Sequence, residues 1–505
     1  MKKKIKYIIL SVLIVSAIFL LLNSRDFMNW LGWYMVKSPT YYPTSDWTIS
    51  TPEDEGVDSN SLIKGYQYII DNKINAHSLL LIRNGKMIDE TYFFPYQKDD
   101  MINIHSCTKS IISALVGIAI DEGYIKSVDQ KILDFFPDRK IDNMSPEKQD
   151  ITIRNLLTMS AGLAVKHPDE DMKASNDWIQ HVLDLKMSER PGTKFNYSDA
   201  TAHLLSAILQ KATGVSTYEY ANTHLFQPMG IEVLWPTDPQ GVYYGFGEIN
   251  MTPRDMAKFG YLYLNKGEWD GKQLVSENWV KESTKRQFET GVGDDYGYLW
   301  WCPNRGFKAT GLGEQVIEVL PMYNIVIVST NGLDSGQVFD YDLFHSAIKL
   351  INLTQNTEGY DTLKKLERQL ALPQLENSNF MVPSKMFEIS GKQYNFQKGN
   401  LLNIRELIID FDQEKDTVMK AIDFHGGQLE IKLPSDGSYV KDTTRTSKND
   451  TVFIKGYWQD DKTFVIAYEA SDRQLIYVTF DNDKVILKSV NRGQVLFDNL
   501  IGIHE

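Results

Sequence analysis

The segment 103–123, NIHSCTKSIISALVGIAIDEG, places Ser106 three residues before Lys109 at the start of an almost wholly apolar run. Residues three apart lie on one face of a helix, so the pattern predicts a helix that ends near Gly123 and brings the hydroxyl beside the amine. Lysine is seldom fully buried. On this segment alone, Lys109 either extends to water or is held beside Ser106 for chemistry.

The chemical interpretation of this pair is physically sound but unspecific. A serine hydroxyl becomes a strong nucleophile when a base takes its proton, and burial or a nearby cation can lower the pKa of a lysine enough for that role. The positive end of the helix dipole would also lie near Ser106. Because a Ser-x-x-Lys spacing arises by chance in most long proteins, the spacing by itself favours a helix start with a solvated lysine.

Two later segments change that balance. Residues 190–214, RPGTKFNYSDATAHLLSAILQKATG, set Tyr197 and Asp199 at the start of a second helix, and residues 306–332 predict two strands with Thr310-Gly311 at a strand edge. A tyrosine near an ammonium can relay a proton, and a glycine at an edge lets a substrate approach the backbone N–H groups. Alone, the first segment is better explained as a capped helix with a packed tyrosine, and the second as a bulged strand.

In this order and spacing the three segments resemble the serine β-lactamase and penicillin-binding-protein superfamily, and within it the class C-like hydrolases. That branch includes esterases, D-amino-acid peptidases and the 6-aminohexanoate-dimer hydrolase. The resemblance runs from about residue 46 to 355. It also rests on three further stretches: ITIRNLLTMSAGL (151–163), MTPRDMAKFGYLYLNKG (251–267) and YGYLWW (296–301).

The resemblance implies roles for individual residues. Ser106 corresponds to the acylated nucleophile, Lys109 to its proton partner and Tyr197 to the tyrosine of the Tyr-x-Asn motif. Asp199 stands where the family usually has asparagine. Its carboxylate would raise the pKa of Lys109 and favour the ammonium, which leaves Tyr197 or Lys109 as the general base, with Tyr197 favoured.

The third motif of the family is a Lys-Thr-Gly or His-x-Gly triplet, and here Ala309 takes the place of its basic residue. The resemblance assigns Thr310, Gly311 and Leu312 to the substrate and oxyanion side of the site, together with Asp199. The oxyanion hole would consist of the Ser106 N–H and one N–H near Leu312. Lys308 should point to the opposite face of its strand, so binding of a β-lactam or peptide carboxylate is disfavoured.

The element order predicts an α+β fold for residues 46–355, an antiparallel sheet flanked by helices with a helical insertion, as in β-lactamases and transpeptidases. Asn84-Gly85 predicts a hairpin within it. Residues 356–385 are polar and contain prolines, and are predicted to be a linker. Residues 386–505 contain short β-rich runs between Asp, Asn and Gly turns, and are predicted to be a small all-β domain.

The first 22 residues, MKKKIKYIILSVLIVSAIFLLL, place four lysines before sixteen uncharged residues. This pattern predicts a signal-anchor that holds the chain in a bacterial membrane by a single pass, with the rest of the chain outside. A cleaved signal peptide and secretion is the alternative. Residues 23–45 are aromatic-rich and are predicted to be a connector.

The composition of the chain argues against several classes of function. The net charge of −13 argues against nucleic-acid binding, which needs a basic surface. Cys107 and Cys302 form no zinc-binding spacing, and the nine histidines do not cluster, so neither a metal nor a cofactor is predicted.

The sequence therefore predicts a membrane-anchored extracytoplasmic serine hydrolase that cleaves a small-molecule or peptide ester or amide through a Ser106 acyl-enzyme. A β-lactamase or D,D-peptidase is the first alternative. A non-catalytic surface protein that reuses the fold is the second, because fold alone does not determine function.

Overall fold

A computed structural model describes residues 32, 33, 36, 39 and 41–504, apart from 166–168, 292, 350–351, 374–382, 384–385, 413–415, 435–436 and 443–450. The predicted signal-anchor, residues 1–22, lies outside these residues, and so does most of the predicted connector. Within the described part of the chain, every helix is too short or too polar to span a bilayer.

The first sheet has seven antiparallel strands in the order β2-β1-β7-β6-β5-β4-β3. Its strands are β1 (Ala76–Arg83), β2 (Lys86–Tyr92), β3 (Asp295–Tyr296), β4 (Trp301–Cys302), β5 (Phe307–Gly311), β6 (Gln315–Leu320) and β7 (Ile325–Asn331). The β1–β2 hairpin turns at Asn84 and Gly85, whose φ angles of 53° and 79° are those of a type I′ turn. The hairpin prediction is confirmed.

Both faces of this sheet are covered. Strand β1 directs Leu80 and Ile82 to one core and Leu79 and Leu81 to the other, which explains its uninterrupted apolar sequence. The longer helices are α1 (Ser59–Asp71), α2 (Thr108–Asp121), α3 (Trp178–Asp184), α4 (Asp199–Thr213), α5 (Pro253–Leu264), α6 (Glu277–Thr284), α7 (Tyr341–His345) and α8 (Thr357–Leu370). Helices α2 to α6 lie between β2 and β3 in the chain, so the α+β fold with a helical insertion is confirmed.

The second sheet, in the C-terminal part of the chain, has ten antiparallel strands in the order β11-β10-β9-β8-β17-β16-β15-β14-β13-β12. They are β8 (Gln393–Phe396), β9 (Ile404–Asp410), β10 (Thr417–Asp423), β11 (Gln428–Leu433), β12 (Val440–Asp442), β13 (Val452–Trp458), β14 (Thr463–Glu469), β15 (Gln474–Asp481), β16 (Lys484–Asn491) and β17 (Gln494–Ile503). The sheet curls almost into a barrel, since Leu433 on the edge strand β11 lies against Gly456 on β13. The predicted all-β domain is confirmed.

The predicted linker contains a helix that packs on the fold. Helix α8 occupies residues 357–370 of the predicted 356–385 linker, and its Leu363 and Leu370 join the apolar core that α1 forms with the sheet. The Leu370 carbonyl also accepts a hydrogen bond from the Phe94 N–H at 2.9 Å. The segment is polar because most of the helix surface faces solvent, while one narrow apolar stripe holds it to the fold.

Candidate active site

Ser106 lies in a single 3₁₀ turn, His105–Cys107, directly before α2. The residue before it, His105, has a left-handed φ of 46°, and its N–H donates to Asn103 Oδ1 at 2.8 Å. Such a backbone conformation is uncommon outside glycine and is kept only where surrounding contacts hold it. The turn leaves Ser106 half-exposed, so its hydroxyl is within reach of a ligand.

Lys109 is 1 % exposed on the first turn of α2, whose residues from Thr108 to Ala119 are all buried. Its ammonium donates to Ser106 Oγ at 2.9 Å, to Asp199 Oδ1 at 2.7 Å and to the Phe246 carbonyl at 2.8 Å. An ammonium has three N–H donors, and these three acceptors, with Tyr197 as a further hydrogen-bond partner, engage all of them. The lysine is not solvated, and it is held beside the serine hydroxyl.

The charge on Lys109 follows from its surroundings. Burial favours the neutral amine, but the Asp199 carboxylate and Tyr197 outweigh that effect, and the pKa of Lys109 is raised above its ordinary value. A buried ion pair of this kind keeps both partners charged because each removes the cost of burying the other. Lys109 is therefore an ammonium at neutral pH, as the replacement of asparagine by Asp199 predicts.

Tyr197 and Asp199 are placed by the start of α4. The Ser198 side chain caps this helix by accepting from the Thr201 N–H, and Asp199 is the first helical residue, where the helix dipole favours a carboxylate. The Tyr197 ring centre lies 4.8 Å from Lys109 Nζ. The opposite side of the ring stacks on Trp301 at 5.9 Å, so Trp301 forms a wall of the site.

Asp199 is a partner of Lys109. The sequence analysis grouped it with the substrate and oxyanion residues, but its carboxylate is paired with the lysine and is 8 % exposed. A carboxylate cannot donate a hydrogen bond to an oxyanion. Asp199 therefore acts on Lys109, by holding its charge and its position.

The end of β5 lies beside the Ser106 turn. A Cβ on Gly311 would come within 2.4 Å of the Ile104 carbonyl oxygen and 3.1 Å of His105 Cβ, so only glycine allows this approach. Thr310 and Gly311 are half-buried, and Leu312, the next residue, is 51 % exposed. The predicted Thr310-Gly311-Leu312 segment thus ends at the nucleophile turn.

The residue that replaces the family's cation, Ala309, is buried, and the neighbouring Lys308 forms an ion pair with Asp294 at 3.0 Å. Trp300 is fully buried among Phe259, Tyr263 and Phe307 and is a core residue. Cys107 and Cys302 are buried and are not joined in a disulfide. Burial raises the pKa of the Cys107 thiol, so this neighbour of Ser106 is an inert filler.

Two contributors to the site were missed by the sequence analysis. The Phe246 carbonyl, which accepts from Lys109, is a backbone atom and leaves no pattern in the sequence. Its loop is held by His203 on α4, which accepts from the Gly245 N–H at 3.3 Å and pairs with the buried Asp238 at 3.0 Å. The one signal in the sequence is His203, which lies one helical turn after Asp199 and therefore on the same side of α4.

Comparisons with known proteins identify the family of the chain. The family model described as Beta-lactamase matches residues 60–347, more than half of the chain. The chain is 24 % identical over 311 residues to a 6-aminohexanoate-dimer hydrolase of Paenarthrobacter ureafaciens, covering 52 % of this chain and 77 % of that protein. It is 24 % identical over 262 residues to a beta-lactamase of Escherichia coli K12, covering 46 % and 67 % respectively.

One solved structure is similar in fold. A putative 6-aminohexanoate-dimer hydrolase from Bacillus anthracis superposes with a TM-score of 0.50 at 18 % identity, covering 70 % of this chain and 97 % of that one. At this identity the likeness concerns the fold alone. The matched residues 60–347 include Ser106, Lys109, Tyr197 and the end of β5, whereas the ten-stranded sheet lies beyond them.

Proposed function

The chain belongs to the Beta-lactamase family of serine hydrolases, and on that premise we propose that it cleaves an ester or amide through an acyl-enzyme on Ser106. The observation that carries the proposal is the buried Lys109 ammonium, which donates to the Ser106 hydroxyl at 2.9 Å while Asp199 holds its charge. A positive charge at that distance stabilises the alkoxide that forms as the serine attacks.

Tyr197 is the proton acceptor in this proposal. All three N–H groups of Lys109 are engaged and its pKa is raised, so the lysine is a poor base. The lysine also lies 4.8 Å from the Tyr197 ring centre and hydrogen-bonds to the tyrosine, so it holds Tyr197 beside Ser106. Lys109 therefore orients and stabilises, and Tyr197 moves the proton.

The reaction then proceeds in two balanced steps. Ser106 Oγ bonds to the carbonyl carbon as its proton passes to the Tyr197 oxygen, and Tyr197 gives its own hydroxyl proton to the leaving alcohol or amine as the bond from that group to carbon breaks. Water next attacks the acyl-enzyme and gives a proton to the Tyr197 oxygen, and Tyr197 gives its hydroxyl proton to Ser106 Oγ as the acyl bond breaks. The N–H groups of Ser106 and of the segment near Leu312 stabilise the oxyanion in both steps.

The substrate class follows from the third motif. A buried Ala309 stands in place of a cation and Lys308 is paired with Asp294, so the site favours a neutral ester or amide over a substrate with a carboxylate beside the scissile bond. The full-length protein in detergent should hydrolyse members of a panel of p-nitrophenyl esters and aryl amides. Acylation by a fluorescent penicillin would instead favour the β-lactamase or D,D-peptidase alternative.

The place of action is a second part of the proposal. Four lysines followed by sixteen uncharged residues support an anchor with the hydrolase unit outside the membrane. Protease added to intact cells should digest the hydrolase unit, and the purified protein should keep its N-terminal residues. A mature N-terminus after residue 22 would support the cleaved-signal alternative, and protection from protease in intact cells would contradict export.

A further inference from the structure

The ten-stranded sheet contacts the residue that precedes the nucleophile. Between β14 and β15, residues 470–473 form a turn, here named the 470–473 turn. Ser471 in this turn is 1 % exposed, and its Oγ lies 2.9 Å from His105 Nε2. His105 is the left-handed residue next to Ser106, so one hydrogen bond connects the second sheet to the side chain of the residue that precedes the nucleophile.

The same turn also contacts the other side of the predicted oxyanion hole. A Cβ on Gly313 would lie 2.3 Å from the Ser471 carbonyl oxygen, so the turn packs directly on the backbone that follows Leu312. The Gly313 carbonyl in turn accepts from the Leu333 N–H at 3.3 Å. Ser471 thus contacts the side chain of the residue before Ser106 and packs on the backbone that follows Leu312.

The 470–473 turn is held in place by the ion pairs of Arg473. Arg473 pairs with Glu469 at 3.1 Å and with Asp334, beyond the end of β7, at 3.2 Å. Glu469 is buried and also accepts from Asn75 Nδ2 at 3.4 Å. Because a buried ion pair is costly to break, these contacts hold the turn against the hydrolase unit.

A second contact reaches the chain just before the nucleophile turn. Lys441 on β12 pairs with Asp100 at 2.7 Å, and the Thr451 N–H donates to the Met101 carbonyl at 2.9 Å. Phe453 on β13 packs edge-on against Tyr96 with ring centres 5.1 Å apart. The second sheet therefore contacts the chain both before Ser106 and at His105.

From these contacts we infer that the C-terminal sheet is part of the active site, and that Ser471 is a positioning residue that holds His105 and the Gly313 backbone so that the oxyanion donors face the substrate carbonyl. The inference rests on the proposed function for its chemistry. Its structural part, that the 470–473 turn braces both backbone segments, stands independently of any activity.

The test compares Ser471→Ala with Ser489→Ala, a buried serine on β16 that donates nothing to the site and accepts from Gln474 at 2.8 Å. Hydrogen–deuterium exchange of the full-length protein should show faster uptake at residues 103–107 in Ser471→Ala only, whereas residues 311–314 should be unchanged because alanine keeps the carbonyl that packs on Gly313. For an ester substrate, kcat should fall roughly tenfold with KM nearly unchanged, less than the about 10²–10³ lost with a whole oxyanion donor.

A double-mutant cycle with His105→Asn isolates the contact. If Ser471 acts through His105, the double variant should lose little more kcat than either single variant. Unchanged exchange at residues 103–107, or additive losses of kcat in the double variant, would overturn the inference. If Ser106 of the wild-type protein takes no acyl group, the proposed function and the catalytic part of this inference both fail. Faster exchange in Ser471→Ala would then show that the contact of Ser471 with His105 is structural only.

Discussion

Lys109 and Asp199 form a buried ion pair, with 2.7 Å between Nζ and Oδ1, directly beneath the nucleophile hydroxyl. This ion pair keeps the positive charge on Lys109, so the proposed mechanism assigns proton transfer to a different residue. With the carboxylate present, the lysine stays an ammonium, and in the proposed mechanism Tyr197 is left as the base.

Replacing the carboxylate should change the pH dependence of catalysis. Burial opposes the charge on Lys109 and Asp199 sustains it, so Asp199→Asn should lower the pKa of Lys109. Because the ammonium is the active form, the alkaline limb of the kcat/KM profile should move to lower pH. Ser198→Ala, which removes the cap of the same helix, should cost about 1 kcal/mol of stability and leave that limb in place. An alkaline limb that stays in place in Asp199→Asn would contradict this account of the pair.

Removing the phenol oxygen should stop proton transfer without disturbing the fold. Tyr197→Phe keeps the ring that stacks on Trp301, so the melting temperature should be nearly unchanged. Its kcat should fall by about 10²–10⁴, the usual contribution of a general base. Tyr218→Phe, a change in a tyrosine that stacks on Tyr243, serves as the matched control. If Tyr197→Phe keeps the wild-type kcat, Tyr197 is not the proton acceptor, and Lys109 is the remaining candidate for the base.

The hairpin, both sheets and the helical insertion could be predicted because each has a local signal. Asn84-Gly85 accepts the two positive φ angles of a tight turn, and apolar runs of strand length mark buried strands. Helix α8 could not be predicted in this way, because only Leu363, Leu370 and a few neighbouring residues form its buried side, and most of its other residues are charged or polar.

The four residues Ser106, Lys109, Tyr197 and Asp199 were predicted together because the family's spacing is visible in the sequence. The Phe246 carbonyl was not, since backbone acceptors have no residue signature. The contact of Ser471 with His105 joins residues 366 positions apart, and only the packing of the two sheets reveals it.

The approach of β5 to the nucleophile turn gives a steric prediction. Gly311→Ala would place a methyl group 2.4 Å from the Ile104 carbonyl oxygen, so the strand end must move away from Ser106. We expect loss of most esterase activity in a protein that still folds. Gly247→Ala is the control, because its added methyl would lie 3.6 Å from the His105 backbone, an ordinary contact. Equal activity of the two variants would show that the close approach is dispensable.

Helix α8 is attached by a buried carboxyl pair that should make stability depend on pH. Glu367 hydrogen-bonds to Asp89, which accepts from the Tyr66 hydroxyl at 2.6 Å. Burial and the Asp89 charge raise the pKa of Glu367 from 4.5 to about 8. The folded state therefore holds a proton that the unfolded state releases, and this stabilisation is complete below about pH 4.5 and is lost as the pH rises through 8.

The melting temperature of Glu367→Gln relative to wild type should accordingly rise between pH 5 and pH 9, because the amide needs no proton. Glu358→Gln, at an exposed position of the same helix, should follow the wild type at every pH. A constant difference between Glu367→Gln and wild type over this range would show that Glu367 does not titrate on folding.

The most direct test of the central claim is covalent labelling of the full-length protein with a fluorophosphonate, followed by mass spectrometry of the peptides. The account predicts one adduct on Ser106, its absence in Ser106→Ala, and slower labelling in Tyr197→Phe. A wild-type protein that takes no label at Ser106, or takes it on another serine, would contradict the acyl-enzyme mechanism.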